Sequence, residues 1–268
     1  MNEADFAPTI ERFTGFGFAY DQMRPSPPKA LAEFLAGVAR CTTPSLVVDL
    51  GCGTGLSTRY WSGRAKSVIG IEPTDSMREQ AERTGGAQIS YRKGYSHATN
   101  LPDECADIVT CSQALHWMDP VSTFHESARI LRTGGVFCAY DYDWPPSTLF
   151  WQVDRAYTEC MELVRGLERE HGIAAKLTRW DKTGHLARME ESRAFRYVRE
   201  TVLHHEETGG AERIVGVFLS QGHVRSLLKL GLTRTDLGVD RLQEVANAAF
   251  GSSVSKWLWS SRVRIGIK

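Results

Sequence analysis

The chain has 268 residues, of which 42% are hydrophobic, 24% charged and 10% aromatic. It carries 32 Lys and Arg against 32 Asp and Glu. That balance argues against nucleic acid as the main partner, because phosphate binding usually leaves a basic excess. It also gives no attraction to an anionic membrane surface. The hydrophobic share suffices for a sizeable core and excludes a disordered or fibrous chain.

The six cysteines include no Cys-x-x-Cys pair, which excludes a zinc ribbon and a thioredoxin-like motif. The adjacent histidines and glutamates at 204–207 resemble a metal-binding cluster. No third ligand lies at a recognisable spacing from them, so we predict no metal site. No apolar run approaches the roughly 20 residues that a membrane helix needs. Residues 1–11 have early acids and no apolar core, unlike a signal peptide. We therefore expect a cytoplasmic protein without a membrane partner.

Short apolar runs alternate with helical patterns in the first half of the chain. Strands are predicted at 45–50, 67–71, 89–92, 106–111 and 136–142. Helices are predicted at 30–40, 57–62, 76–84 and 120–131. This order of strand and helix, with short turns, is typical of a doubly wound, Rossmann-like α/β fold with a mostly parallel sheet.

The pattern changes after 144–146, where a tryptophan precedes two prolines. Apolar residues then recur at steps of three and four over 150–167, which predicts an amphipathic helix. The remaining elements are predicted as helices at 179–193, 214–230 and 242–249 and strands at 195–205 and 256–267. We expect a seven-stranded sheet with a helical insertion between strands five and six.

Three glycines, Gly51, Gly53 and Gly55, lie between the first strand and the next helix. Glycine lets the backbone turn sharply and approach a ligand closely, and the helix N-terminus adds free N–H groups. A Gly-x-Gly-x-x-Gly dinucleotide fingerprint would need glycine at position 56, where this chain has Leu56. Asp49 also disfavours a pyrophosphate, because its negative charge would repel one.

Two carboxylates indicate a different ligand. Asp49 ends the first strand, where its charge can act on a ligand ammonium group directly or through water. Glu72 follows the second strand, where a carboxylate can accept hydrogen bonds from both hydroxyls of a ribose. A plain tight turn would explain any one of these residues. The whole set in a strand–turn–helix context favours a cationic ligand with an amino-acid part.

The run from Val47 to Gly55, with Glu72 after the second strand, resembles the class I S-adenosylmethionine-dependent methyltransferases. Further stretches that resemble this family lie at 101–109, 113–117 and 129–136. Residues 113–117, with Tyr20 and Arg24, are similar to a subgroup that includes the trans-aconitate methyltransferase-like enzymes. The resemblance covers about 13–142 and implies S-adenosylmethionine as the cofactor.

The resemblance also implies roles for individual residues. The glycine loop would pass under the methionine and ribose parts, and Glu72 would hold the ribose hydroxyls. Arg24, unless it is an ordinary surface arginine, would pair with the cofactor carboxylate, because a guanidinium forks onto a carboxylate. The loop 94–98 would face the adenine, although it lacks the acidic residue common there in this family. The predicted cofactor-binding set is Arg24, Asp49, Gly51, Cys52, Gly53, Thr54, Gly55, Glu72, Pro73, Met77, Ser96, His97, Gln113, His116 and Trp117.

Methyl transfer from a sulfonium requires mainly the alignment of a nucleophile and the exclusion of water. A base is needed only if the nucleophile loses a proton, and His116 is the first candidate because imidazole titrates near neutral pH. A structural hydrogen bond is the alternative role for His116. Asp141 ends strand five at the sheet edge where ligands bind. Tyr20 is a further catalytic candidate beside His116 and Asp141, because the sequence around it resembles the subgroup.

We predict methyl transfer to a small-molecule acceptor, because no basic groove or RNA-binding module is visible. A regulatory or assembly protein that binds the cofactor without catalysis is the alternative. A nicotinamide oxidoreductase is disfavoured by the glycine spacing and Asp49.

The chain is predicted to be one domain, whose parts are an N-terminal cap at 1–44, a cofactor-binding half at 45–146, a helical lid at 147–193 and C-terminal strands and helices at 194–268. The sequence makes no prediction of the oligomeric state.

Overall fold

The structure, a computed structural model, describes residues 23–173, 175 and 177–268. The strands are β1 (Leu46–Leu50), β2 (Ser67–Ile71), β3 (Ile89–Arg92), β4 (Ala106–Ser112), β5 (Leu131–Tyr142), β6 (Tyr197–Gly209) and β7 (Ser255–Ile267). The α-helices are α1 (Leu31–Val38), α2 (Leu56–Tyr60), α3 (Asp75–Thr84), α4 (Pro120–Ile130), α5 (Trp151–Glu170), α6 (His185–Glu191), α7 (Ala211–Leu219), α8 (Gly222–Lys229) and α9 (Val239–Phe250). Short 3₁₀ helices span Leu115–Trp117 and Lys182–Gly184.

The seven strands form one sheet in the order β3-β2-β1-β4-β5-β7-β6. Strands β1 to β5 pair in parallel, whereas β7 runs antiparallel to both β5 and β6. The predicted Rossmann-like, mostly parallel, seven-stranded α/β fold is therefore confirmed. The central strands are almost wholly buried because helices cover both faces of the sheet.

Alternate strand residues supply two separate hydrophobic layers. Val47 packs on one face with residues of α1, α5, α7, α8 and α9, whereas Val48 packs on the other face with residues of α4 and α6. The predicted insertion between β5 and β6 is present, and its two α-helices lie on opposite faces of the sheet. The role of 147–193 as a lid stays a prediction.

Three elements differ from the sequence prediction. The helix predicted at 214–230 is two helices, because Gln221 adopts an extended backbone just before Gly222. The helix predicted at 179–193 is α-helical only over α6, after Asp181 caps the short 3₁₀ turn. Strand β5 begins at Leu131 rather than at the predicted position 136, because α4 ends at Ile130 and the chain continues directly into the strand.

We predict that Gly266→Ala destabilises the fold. A Cβ at this position in β7 would lie 2.5 Å from Cγ of Phe195, and that ring is stacked on Phe137 with centroids 5.4 Å apart. Overpacking of this kind costs about 1–3 kcal/mol of unfolding free energy. Urea unfolding would measure the loss. The control is Gly37→Ala in α1, where the added Cβ meets nothing within 4 Å; equal midpoints for the two variants would contradict the prediction.

Candidate active site

The glycine loop joins β1 to α2 in the conformation that glycine permits. Gly51, Gly53 and Gly55 have φ values of 63°, 56° and 84°, in the left-handed region that side chains disfavour. A Cβ on Gly51 would lie 2.5 Å from Cε of Met118, and one on Gly55 would lie 2.4 Å from the hydroxyl of Tyr91. The loop therefore needs glycine both for its backbone and for the space around it.

Asp49 lies beneath this loop, where it is fully buried. One carboxylate oxygen accepts hydrogen bonds from Ser57 (2.6 Å) and Thr58 (2.7 Å), and the other accepts one from Thr110 (2.9 Å). Burial raises the pKa of Asp49, and the three hydroxyl bonds oppose that rise. Asp49 lines neither of the two cavities described below, and its action on a ligand ammonium group, directly or through water, stays a prediction. The residue supports the loop from below because its oxygens are already occupied by hydroxyl donors.

Glu72 directly follows β2, and its carboxylate is buried and faces a cavity. Its Oε2 accepts a hydrogen bond from the Gly53 N–H (2.9 Å) and its Oε1 accepts one from the Thr74 N–H (2.9 Å). Burial raises the pKa of Glu72, against the opposing effect of these two bonds. Each carboxylate oxygen accepts more than one bond, so acceptor capacity remains for a ligand hydroxyl.

Most of the predicted cofactor-binding residues line the cavity that Glu72 faces, which we call the first cavity. Its wall includes Arg24, Gly51, Cys52, Gly53, Thr54, Glu72, Pro73, Met77, Ser96, His97, Gln113 and Trp117. Asp49, Gly55 and His116 do not line it. For Gly55 the reason is that its Cα faces the Tyr91 ring.

A second cavity adjoins the first at the carboxyl edge of the sheet. Arg24, Gln113, Trp117 and Tyr142 line both cavities and so form their common wall. The other side chains of the second cavity are largely basic or aromatic, and they include His116, Trp144, Tyr157, Arg165, Arg179, Lys182 and His223. A ligand in one cavity would therefore be separated from a ligand in the other only by these shared side chains.

His116 is buried at 5% exposure and contacts the second cavity rather than the first. Its ring centroid lies 4.8 Å from that of Trp117, and its Nδ1 lies 3.8 Å from Oδ1 of Asp141. Burial, together with the positive charges of Lys182 and Arg179, holds the pKa of His116 well below its ordinary value. The imidazole is therefore neutral at neutral pH.

Asp141 lies behind His116 and lines neither cavity. Its carboxylate forms ion pairs with Lys182 (2.7 Å) and Arg264 (3.1 Å), and Arg264 pairs in turn with Glu200 of β6 (2.8 Å). Two cations already pair with its oxygens, and its role as a catalytic candidate stays a prediction. Tyr20, the third catalytic candidate, lies outside the described residues.

Arg24 bridges the two cavities from the N-terminal side. Its Nη2 donates a hydrogen bond to the carbonyl of Ser220 (3.0 Å), and its guanidinium carbon lies 5.3 Å from the centroid of the Trp144 ring. Ser220 is the C-cap residue directly after α7, so the break in the predicted helix supplies this carbonyl. This placement is not that of an ordinary surface arginine.

The sequence reading missed several residues of the second cavity. Arg165 and Arg179 are interleaved with acids along the chain, a pattern typical of a solvated face rather than of a cavity wall, and no sequence pattern indicated Lys182. Gln221 was placed inside a helix, yet its amide donates a hydrogen bond to the Tyr157 hydroxyl (3.0 Å). The dipeptide Gln221-Gly222 was the available signal, since glycine commonly interrupts a helix.

Known proteins share both the loop and the fold. Residues 48–139 match the family described as the methyltransferase domain. Over 132 residues the chain is 32% identical to a probable S-adenosylmethionine-dependent methyltransferase of Saccharomyces cerevisiae. This match covers 47% of this chain and 45% of the yeast protein. Over 163 residues it is 31% identical to a ubiquinone biosynthesis O-methyltransferase of Nitrosomonas europaea, with coverages of 58% and 65%.

A solved structure of a candidate type II methyltransferase from Anaeromyxobacter dehalogenans has the same fold, with a TM-score of 0.64 and 22% identity. The match covers 91% of this chain and 97% of that one. Fold and loop thus define a Rossmann-like methyltransferase domain. In that domain the chain is similar to S-adenosylmethionine-dependent methyltransferases, and it spans less than half the length of the yeast relative.

The described part of the chain has neither a metal-binding cluster nor a helix suited to span a membrane. No group of three or more His, Cys, Asp or Glu side chains there is arranged to hold a metal ion. Within the same part of the chain, no helix combines the length and apolar character needed to cross a bilayer.

We predict that acid weakens the fold through His185, a fully buried residue of α6. Burial lowers its pKa to about 4 from an ordinary value of 6.5. As the pH falls through this window the unfolded chain takes up a proton and the folded chain does not, so stability is lost. Between about pH 7 and pH 5 the unfolding free energy should fall by roughly 1–2 kcal/mol on this account.

Urea unfolding of His185→Gln at several pH values tests this, because the variant should lose that part of the acid dependence. His171→Gln, which changes an exposed histidine at the end of α5, is the matched control. An identical pH slope in all three proteins would contradict the assignment to His185.

Proposed function

We propose that this protein transfers a methyl group from S-adenosylmethionine to a small-molecule acceptor. The observation that carries the proposal is the pair of cavities with a common wall at the carboxyl edge of the sheet. Ligands bind at this edge in open α/β folds. The first cavity would hold the cofactor and the second the acceptor, so that the reacting groups meet at the shared side chains.

The lining of the first cavity fits this cofactor. The absence of Cβ atoms at Gly51 and Gly53 lets the backbone approach a ligand, and the buried carboxylate of Glu72 suits ribose hydroxyls. Arg24 and Gln113, which also line the second cavity, offer donors to a carboxylate. When bound, the cofactor supplies a methyl group on a positively charged sulfur, which is activated for transfer.

The second cavity supports a small acceptor rather than a polymer, because it is a pocket lined from α5, α8 and the strand ends. Its cations favour an acceptor with negative charge, since Glu162 is the one carboxylate among the described residues that line it. The aromatic rings of Trp117, Trp144 and Tyr157 would exclude water from the acceptor. The chain's main contribution would then be alignment and desolvation.

His116 would act as base where the acceptor loses a proton on methylation. Its neutral imidazole lines the second cavity, and with Nδ1 facing Asp141 the Nε2 atom is left to take the proton. The Asp141 carboxylate would stabilise the imidazolium across 3.8 Å. Tyr20 remains a candidate from the sequence alone.

We predict that Glu72→Gln weakens binding of S-adenosylhomocysteine, the demethylated cofactor. The substituted amide cannot accept from Gly53, Thr74 and a ribose together, because one oxygen becomes a donor. Loss of a charge-assisted hydrogen bond should raise Kd about tenfold or more. Isothermal titration measures this, with the exposed Glu79→Gln on α3 as control. Failure of the unmodified protein to bind at millimolar cofactor would overturn the proposal.

We predict that His116→Gln lowers kcat for an acceptor that loses a proton, by roughly 10²–10⁴-fold. The acceptor would come from a methyl-transfer screen of carboxylic acids, phenols, amines and isoprenoid-like compounds, detected as S-adenosylhomocysteine. Because the pKa of His116 lies well below 6.5, kcat should stay constant as the pH is lowered through 6.5 and should fall only in more acidic solution.

Each possible failure has its own meaning. An unchanged kcat in His116→Gln would give His116 the structural role instead. Cofactor binding without turnover of any acceptor in the screen would favour the non-catalytic regulatory or assembly protein.

A further inference from the structure

Gln113 occupies the wall between the two cavities in a constrained backbone conformation. Its φ of 52° is in the left-handed region, which a residue with a Cβ adopts at an energetic cost. Its N–H donates a hydrogen bond to the carbonyl of Tyr140 in β5 (2.9 Å), which fixes the turn after β4. Such a conformation is retained where the surrounding structure holds a side chain in a particular place.

Lys182 determines which way the Gln113 amide points. Its Nζ lies 2.9 Å from the amide oxygen of Gln113. An ammonium group has only donors, so the amide atom that faces it must be the oxygen. The Nε2 of Gln113 is consequently turned away, and it is enclosed without a hydrogen-bond partner among the described residues. A buried donor of this kind is costly unless a ligand satisfies it.

The Lys182 ammonium is itself held in place from behind. It lies 2.7 Å from Oδ1 of Asp141, whose other oxygen is paired with Arg264 at 3.1 Å. Arg264 is 2% exposed, so the pair is anchored within the sheet between β5 and β7. This arrangement makes Lys182 a fixed point on an otherwise irregular segment.

We propose that Lys182 is a positioning residue that aims the Gln113 amide N–H at the carboxylate of the bound cofactor. The inference rests on the proposed function. Gln113 and Arg24 line both cavities and offer donors and positive charge there, whereas Glu72, an acceptor, lines only the first cavity. S-adenosylmethionine has one carboxylate, and charge complementarity assigns it to the donors of Gln113 and Arg24.

The test compares two ligands that share the adenosine part. S-adenosylhomocysteine carries the amino-acid carboxylate, and methylthioadenosine lacks it. Lys182→Met should raise the Kd for S-adenosylhomocysteine about tenfold, because the amide loses its enforced orientation, and should leave the Kd for methylthioadenosine unchanged. Lys182→Arg keeps a donor beside the amide oxygen and should recover most of the affinity.

Gln113→Glu is a second variant, which changes the amide itself rather than the lysine that orients it. Its carboxylate still accepts from Lys182 but offers no N–H and repels another carboxylate, so the selective loss should be at least as large. Arg188→Met is the matched control, since it removes a cation of the same segment that contacts Trp180 and the Asp181 carbonyl rather than Gln113. Thermal melting of each variant without ligand verifies folding.

The outcomes distinguish failure of the proposed function from failure of the positioning role of Lys182. If the unmodified protein binds neither ligand, the proposed function fails. If it binds both, and Lys182→Met and Gln113→Glu weaken both equally or neither, the positioning role is overturned. The same selective loss in Arg188→Met would also overturn it, because a loosened segment would then explain the result.

Discussion

The buried carboxylate of Asp49 is the constraint on which the candidate site depends. Asp49 is the penultimate residue of β1, and its carboxylate accepts hydrogen bonds from two hydroxyls of α2 and one of β4. An uncompensated buried charge would be severely unfavourable, so these three donors are a condition of the fold. They tie the start of α2 to two neighbouring strands, and the glycine loop between them has little freedom left.

The loop conformation explains why the first cavity is open to a ligand. Because Asp49 draws α2 towards β1, the intervening residues must turn within a few positions, and only glycine adopts the φ values seen at 51, 53 and 55 without strain. Glu72 then reinforces the turn from β2 through the Gly53 N–H. The glycine loop and the Glu72 carboxylate are thus one hydrogen-bonded unit.

A second buried carboxylate organises the other side of the site. Asp141 pairs with Lys182 and Arg264, and so links β5, β7 and the 3₁₀ turn before α6. Removing one partner from such a buried network generally costs more than the pair contributes, because the remaining charge is left uncompensated. The network also brings His116 and Lys182 to the second cavity, although they are separated by 66 positions in the numbering of the chain.

The parallel sheet, the loop 51–55 and the carboxylate at 72 were all predictable from the sequence, because each depends on neighbours along the chain. Apolar runs and glycine spacing are local signals, and the family resemblance strengthened them. The displacement of Asp49 and Asp141 from the cavities was not predictable, since it depends on hydroxyls and cations contributed by distant elements. The second cavity was likewise decided by packing, because α5, α8 and the segment around Lys182 meet only in the folded chain. The sequence by itself determined the class of protein and the cofactor loop, whereas the tertiary structure decided which charges face a ligand and which support the fold.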